Sequence, residues 1–113
     1  MSAASPAPTD FIMVFMTAPD GETAGRIGHI LVEEGLVACM NIVPGLRSIY
    51  RWEGKLCDDA EVLCLCKTRA ELFPSVRDRI VALHPYAVPE IIALPLTMGS
   101  AAYLDWVAQS TSR

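Results

Sequence analysis

The chain has 113 residues, a formal net charge of −4 and 52% hydrophobic residues. That length supports one core and is too short for two. A sequence pI near 5.0 excludes the basic stripe through which proteins capture nucleic acid or anionic lipid by counterion release, and no apolar run reaches the roughly 18 residues of a membrane span.

Residues 1–10 hold Ser, Ala and Pro without Lys or Arg. They lack the charged start of a secretory signal and are expected to form a disordered tail ahead of a single domain over 11–113. With no export signal, Cys39, Cys57, Cys64 and Cys66 are expected to be reduced thiols of a cytoplasmic protein. Cys64 and Cys66 sit two apart in a strand-like run, about 6.6 Å between Cα atoms on one face, which suits sheet packing better than a metal chelate.

The first element is an apolar strand over 11–18, followed by Pro19 and Asp20, with Asp20 as the N-cap of a helix running to about Glu34. Its stripe of Ala24, Ile27 and Leu31 is flanked by Gly25 and Gly28, each costing about 1 kcal/mol relative to Ala unless a sheet approaches closely. From Ala38 to Lys55 comes an extended β-rich run broken by Val43-Pro44-Gly45 and reversed at Glu53-Gly54, because Gly tolerates the positive φ of tight hairpins. The product is a long bent hairpin with Tyr50 and Trp52 near its tip and a second strand over 56–68. Phe73, Val76, Ile80 and Leu83 recur at helical spacing, with Pro74 in the first turn and Pro85 beyond the end. Residues 88–98 read as a fourth strand interrupted by Pro95, and Ser100 as the cap of a terminal helix carrying Tyr103, Leu104, Trp106 and Val107.

Strand, helix, strand, strand, helix, strand, helix is the split βαβ order of the α+β ferredoxin-like fold, a four-stranded antiparallel sheet in the order 4-1-3-2 with its two main helices on one face. Proline belongs at edges or bulges, and Pro44 and Pro95 fall in the two edge strands of that order. A solvated second face would make the strands alternate between apolar and polar residues. Phe11-Ile12-Met13-Val14-Phe15-Met16, Val62-Leu63-Cys64-Leu65-Cys66 and Ile91-Ile92-Ala93-Leu94 do not alternate. The terminal helix is too short to cover that face alone, so another subunit is expected there.

Phe15-Met16-Thr17-Ala18-Pro19-Asp20, Ala38-Cys39-x-Asn41-Ile42-x-Pro44-Gly45, Ser48-x-Tyr50-x-Trp52-Glu53-Gly54-Lys55, Lys67-Thr68, His84-Pro85-Tyr86-x-Val88-Pro89-Glu90 and Tyr103-Leu104-x-Trp106 together resemble the CutA family of divalent-cation tolerance proteins across about residues 11–107. The resemblance implies a homotrimer related in architecture to the PII signalling proteins, its hairpin and last strand bridging subunits. It also implies an association with copper and other divalent metals, no organic cofactor and no established catalytic activity. Two alternatives stay open: a PII-like sensor binding a small ligand between subunits, and an oligomeric anchoring protein, since animal relatives are linked to anchoring or processing of acetylcholinesterase.

Cys39, His84 and Met16 form a candidate soft-metal site favouring copper, each with a structural reading beside it. Cys39 and Met16 also suit a core, and His84 suits the end of the second helix. Some relatives carry Cys where this chain has Met16. Lys67 and Glu90 are charges on otherwise apolar strands, and with Tyr50, Trp52 and Tyr86 they are candidates for a ligand cleft or a trimer interface. An acylphosphatase-like or Cys39–His84 enzyme would rest on fold alone, and no glycine-rich phosphate loop is present.

Overall fold

The computed structural model describes residues 10–111, so the expected tail lies outside the described residues apart from Asp10. The elements are β1 (Phe11–Ala18), α1 (Gly21–Glu33), β2 (Cys39–Trp52), β3 (Lys55–Arg69), a 3-10 turn (Ala70–Leu72) running into α2 (Phe73–Leu83), β4 (Ile91–Pro95) and α3 (Ala101–Ser110). The sheet is antiparallel in the order β2-β3-β1-β4, which is the expected 4-1-3-2 read from its other edge.

Local chemistry sets the helix ends. Asp20 accepts the Thr23 N–H at 2.7 Å and so caps α1, and this bond holds the Asp20 carboxyl below its usual range. At the other end the Leu36 N–H returns to the Leu31 carbonyl at 3.0 Å, satisfying a carbonyl that the last turn leaves free. Gly28 sits at a close approach, because a Cβ there would come within 2.8 Å of Met40 Sδ and would have to displace that flexible side chain, whereas one at Gly25 would meet nothing within 4 Å. The close-packing explanation therefore holds for Gly28 only. α2 carries Pro74 in its first turn and ends where the His84 N–H reaches the Ile80 carbonyl at 2.8 Å. Ser100 occupies the cap position of α3, yet its side chain makes no capping bond.

The fourth strand is shorter than its sequence suggests. Residues 88–90 stay outside the ladder, where Pro89 has no N–H to give, and β4 covers five residues ending at Pro95. Pro44 falls at the irregularity between Val43 and Leu46 in the other edge strand.

β2 and β3 have 14 and 15 residues, against eight in β1. β1 stops pairing at Ala18↔Val62, so beyond that point the hairpin continues as a two-stranded arm from Leu46↔Glu61 to Trp52↔Lys55. Glu53 and Gly54, with φ of 49° and 80°, close it with the twist that a two-residue hairpin needs. The arm draws the molecule out to 54 × 25 × 23 Å.

The two faces of the sheet differ. Ile12, Val14, Met16 and Ala18 of β1, with Val62, Cys64 and Cys66 of β3, pack against Ala24, Ile27, Leu31, Val76 and Ile80 of the helices, and none is more than 8% exposed. On the other face, α3 covers one end by seating Val107 with Phe11 and Ala38. The remainder is open, and Ile92 and Leu94 are each 57% exposed beside Phe15 and Met13. No helix among the described residues is long and apolar enough to cross a membrane.

Candidate ligand cleft and the predicted metal donors

Alternation along the arm puts Ser48, Tyr50 and Trp52 on one side of the ribbon, with Asp59 directly across from Ser48. The segment from α2 to β4 folds against the base of the arm, and between them opens a cleft of about 630 Å3 whose wall includes Thr17, Tyr50, Trp52, Asp59, Glu61, Tyr86 and Glu90. His84 fixes that segment. Its Nε2–H donates to the Thr17 carbonyl at 2.8 Å and its Nδ1 accepts the Tyr86 N–H at 3.1 Å, which selects the neutral ring with the proton on Nε2. The imidazole is buried and its ring lies 4.7 Å from that of Tyr86.

From this anchor the Tyr86 hydroxyl donates to Glu61 at 2.7 Å, and on the arm the Tyr50 hydroxyl donates to Asp59. Burial, then the Glu61 carboxylate, pushes the Tyr86 phenol up. The hydrogen bond to Asp59 pushes Tyr50 up to about 12. Both phenols therefore stay protonated and serve as neutral donors to carboxylates.

The metal donors expected to meet do not. Met16 pairs with Cys64 and is fully buried on the helix-covered face. Cys39 pairs with Lys67, which pairs with Met13, so Cys39 belongs to the opposite face. Strand parity separates them, and both ring nitrogens of His84 are engaged by backbone. The three residues do not assemble within one chain, and no group of three His, Cys, Asp or Glu residues able to hold a metal occurs among the described residues. Cys39 is half-buried, its Sγ 3.8 Å from the Tyr103 hydroxyl and 3.9 Å from Asn41 Oδ1, while the Lys67 ammonium donates to the same Asn41 oxygen. Lys67 thus stands with Cys39 on the open face, apart from the cleft that Tyr50, Trp52, Tyr86 and Glu90 line.

Asp59 and Glu61 are the charged cleft residues that the sequence reading missed. The signal was present in the acidic run Asp58-Asp59-Ala60-Glu61, because counting outward from the Glu53-Gly54 turn sets Asp59 opposite Ser48 and beside Tyr50.

Comparison with known proteins agrees with the fold. The family model for the CutA1 divalent ion tolerance protein matches residues 12–110. The divalent-cation tolerance protein CutA of Thermus thermophilus is 52% identical over 99 residues, which cover 88% of this chain and 96% of that protein. The chloroplastic protein CutA of Arabidopsis thaliana is 46% identical over 100 residues, 88% of this chain and 55% of the plant protein, so the chain spans about half the length of that relative. The solved structure of the divalent cation tolerance protein from Thermus thermophilus superposes with a TM-score of 0.87 at 51% identity, covering 90% of this chain and 99% of that one. The chain belongs to the CutA1 divalent ion tolerance family.

Proposed function

We propose that the chain serves divalent-cation tolerance as a homotrimer that binds or responds to copper and other divalent ions between its subunits, in the cytoplasm and without catalytic turnover. The observation that carries this reading is the open apolar face, where Ile92 and Leu94 are each 57% exposed on the β4 edge of the sheet. Burying such a face against copies of the same chain is the usual way to remove it from water. The arm and the β4 edge are the parts that would bridge subunits. With no three-ligand group inside one described chain, ions would draw their ligands from more than one subunit. Cys39 is the soft donor that the open face offers.

Sedimentation of reduced protein tests assembly and is expected to give three times the 12.3 kDa chain mass. Titration with Cu2+ and Zn2+, read by bound-metal stoichiometry and thermal shift, tests the ion, and Cys39→Ser should weaken copper at least tenfold. A stable folded monomer, or an assembly that retains no metal, sinks the reading.

The cleft favours a second reading, a small-ligand sensor. Its volume of about 630 Å3 falls in the range of pockets that take small molecules, and its wall mixes aromatic faces with a few convergent polar groups.

A further inference from the structure

We propose that the groove between α1 and β2 binds one soft monovalent metal ion, Cu+ or Ag+, through His29 Nε2 and Met40 Sδ. The site lies within one chain and does not depend on ions held between subunits.

Helical spacing puts Gly25, Gly28, His29 and Val32 on one side of α1, facing Met40 and Ile42 across a groove of about 260 Å3. Met40 pairs with Cys66 and Ile42 with Cys64, and both cysteines are fully buried under the helices. The groove therefore belongs to the helix-covered side of the sheet. It is separate from the open face, from the arm that starts at Leu46 and from β4, the parts that would bridge subunits.

The imidazole is held as a ligand would be. His29 Nδ1 lies 2.8 Å from the Gly25 carbonyl oxygen. A carbonyl only accepts, so Nδ1 carries the proton and the lone pair of the neutral ring sits on Nε2. No other hydrogen bond or ion pair among the described residues involves this ring. A backbone carbonyl on one ring nitrogen is a common support of a metal-bound imidazole, since it fixes both tautomer and orientation.

The second donor shares the groove. Met40 Sδ stands 2.8 Å from where a Cβ of Gly28 would be, and Gly28 precedes His29 in the helix. The bare backbone at Gly28 lets the sulfur come against α1, and the flexible Met side chain can swing it toward the ring. Gly25 has no packing reason to be glycine, because a Cβ there would meet nothing within 4 Å. Its missing side chain leaves the groove open beside the imidazole. Imidazole and thioether are neutral donors, and no Asp or Glu lines the groove. Thioether sulfur selects Cu+ over hard cations, and a divalent ion would meet no counter-charge here.

The test is titration of the intact protein with Ag+, and with Cu+ held by a competing chelator, followed by NMR of the Met methyl groups and His ring nitrogens. Cys39→Ser with Cys57→Ser removes the two half-buried thiols that would compete. The Met40 methyl and His29 Nε2 signals are expected to shift together and saturate at one ion per chain, whereas Zn2+ at the same concentration moves neither. In that background His29→Ala and Met40→Leu, the latter close in volume, should each weaken binding at least tenfold and leave the thermal unfolding transition in place. If the thiol-free protein fails to fold, the same two signals are followed in the parent. Equal affinity with and without His29 or Met40 overturns the proposal, as does an ion that leaves both signals unmoved. A Zn2+ shift equal to that of Ag+ overturns the assignment to a soft ion.

Discussion

The two faces of the central sheet are built from the same strands and are almost equally apolar, yet only one is closed by its own chain. Even-numbered residues of β1 meet α1 and α2 and are shut away, whereas Met13 and Phe15 lie among neighbours such as Ile92 and Leu94 that remain in contact with water. The covered face thus accounts for folding. The open face and the cleft beside the arm carry surface that folding does not explain.

The largest effect that separates the two faces comes from placing the same charge on each. Val14 is fully buried, and Val14→Asp would put a carboxylate in the covered core at a cost of several kcal/mol, a large share of the roughly 5–15 kcal/mol that holds a domain together. No cooperative unfolding transition is expected for that variant. Leu94→Asp on the open face should leave secondary structure and cooperative unfolding in place while sedimentation falls to the mass of one chain. A Leu94→Asp protein that keeps the sedimentation mass of the parent would show that the open face is not where copies of the chain meet.

A smaller effect probes how well the covered face excludes water. Burial pushes the Cys64 thiol up to about 11. Burial, then the neighbouring Cys64 and Cys39, pushes Cys66 up to about 12. Each folded value lies above that of an exposed thiol, about 8.5. The stabilisation from keeping these thiols neutral is therefore complete below about pH 8.5 and is lost as pH rises toward the folded values, because the unfolded chain releases the protons first. Between about pH 8 and pH 11 the urea midpoint should fall less in Cys66→Ala than in the parent. Equal pH dependence in the two would mean that water reaches this face. Lys and Tyr titrate in the same range, so the difference between the proteins is the quantity to read.

Much of this was legible in the sequence because it depends on local chemistry. The Asp20 cap, the Glu53-Gly54 turn and the paired edge prolines Pro44 and Pro95 each act within a few residues, and together they give the element order and the sheet order. The open face was legible too, from strands that fail to alternate. What could not be read was anything set by register between distant strands. Met16 and Cys39 are both plausible soft donors, but only the pairing of β1 with β3 and of β3 with β2 reveals that they face opposite ways. His84 looked like a ligand because its commitments, to the Thr17 carbonyl and the Tyr86 N–H, are made to backbone, and backbone partners leave no mark in residue type. The length of β4 was overestimated as well: residues 88–90 stay outside the ladder, where Pro89 has no N–H to give.

The smallest expected effect lies on the arm, outside both faces. Arg47 and Asp58 join across the ribbon at 2.6 Å, with side chains 74% and 45% exposed. Such pairs contribute little, since water screens them and two side chains lose freedom to form them. The guanidinium holds the Asp58 carboxyl below its usual 3.8. Its contribution is therefore present above that value and is lost as pH falls through the depressed one. Asp58→Asn should unfold slightly more easily than the parent at about pH 7, and the gap should narrow as pH falls through the depressed value and the Asp58 carboxyl takes up its proton. Thermal melts of the two proteins across that range measure it. A large gap at neutral pH would mean that the arm is rigidified by this pair and contributes to assembly. A gap that persists at low pH would trace to packing of the Asp58 side chain rather than to its charge.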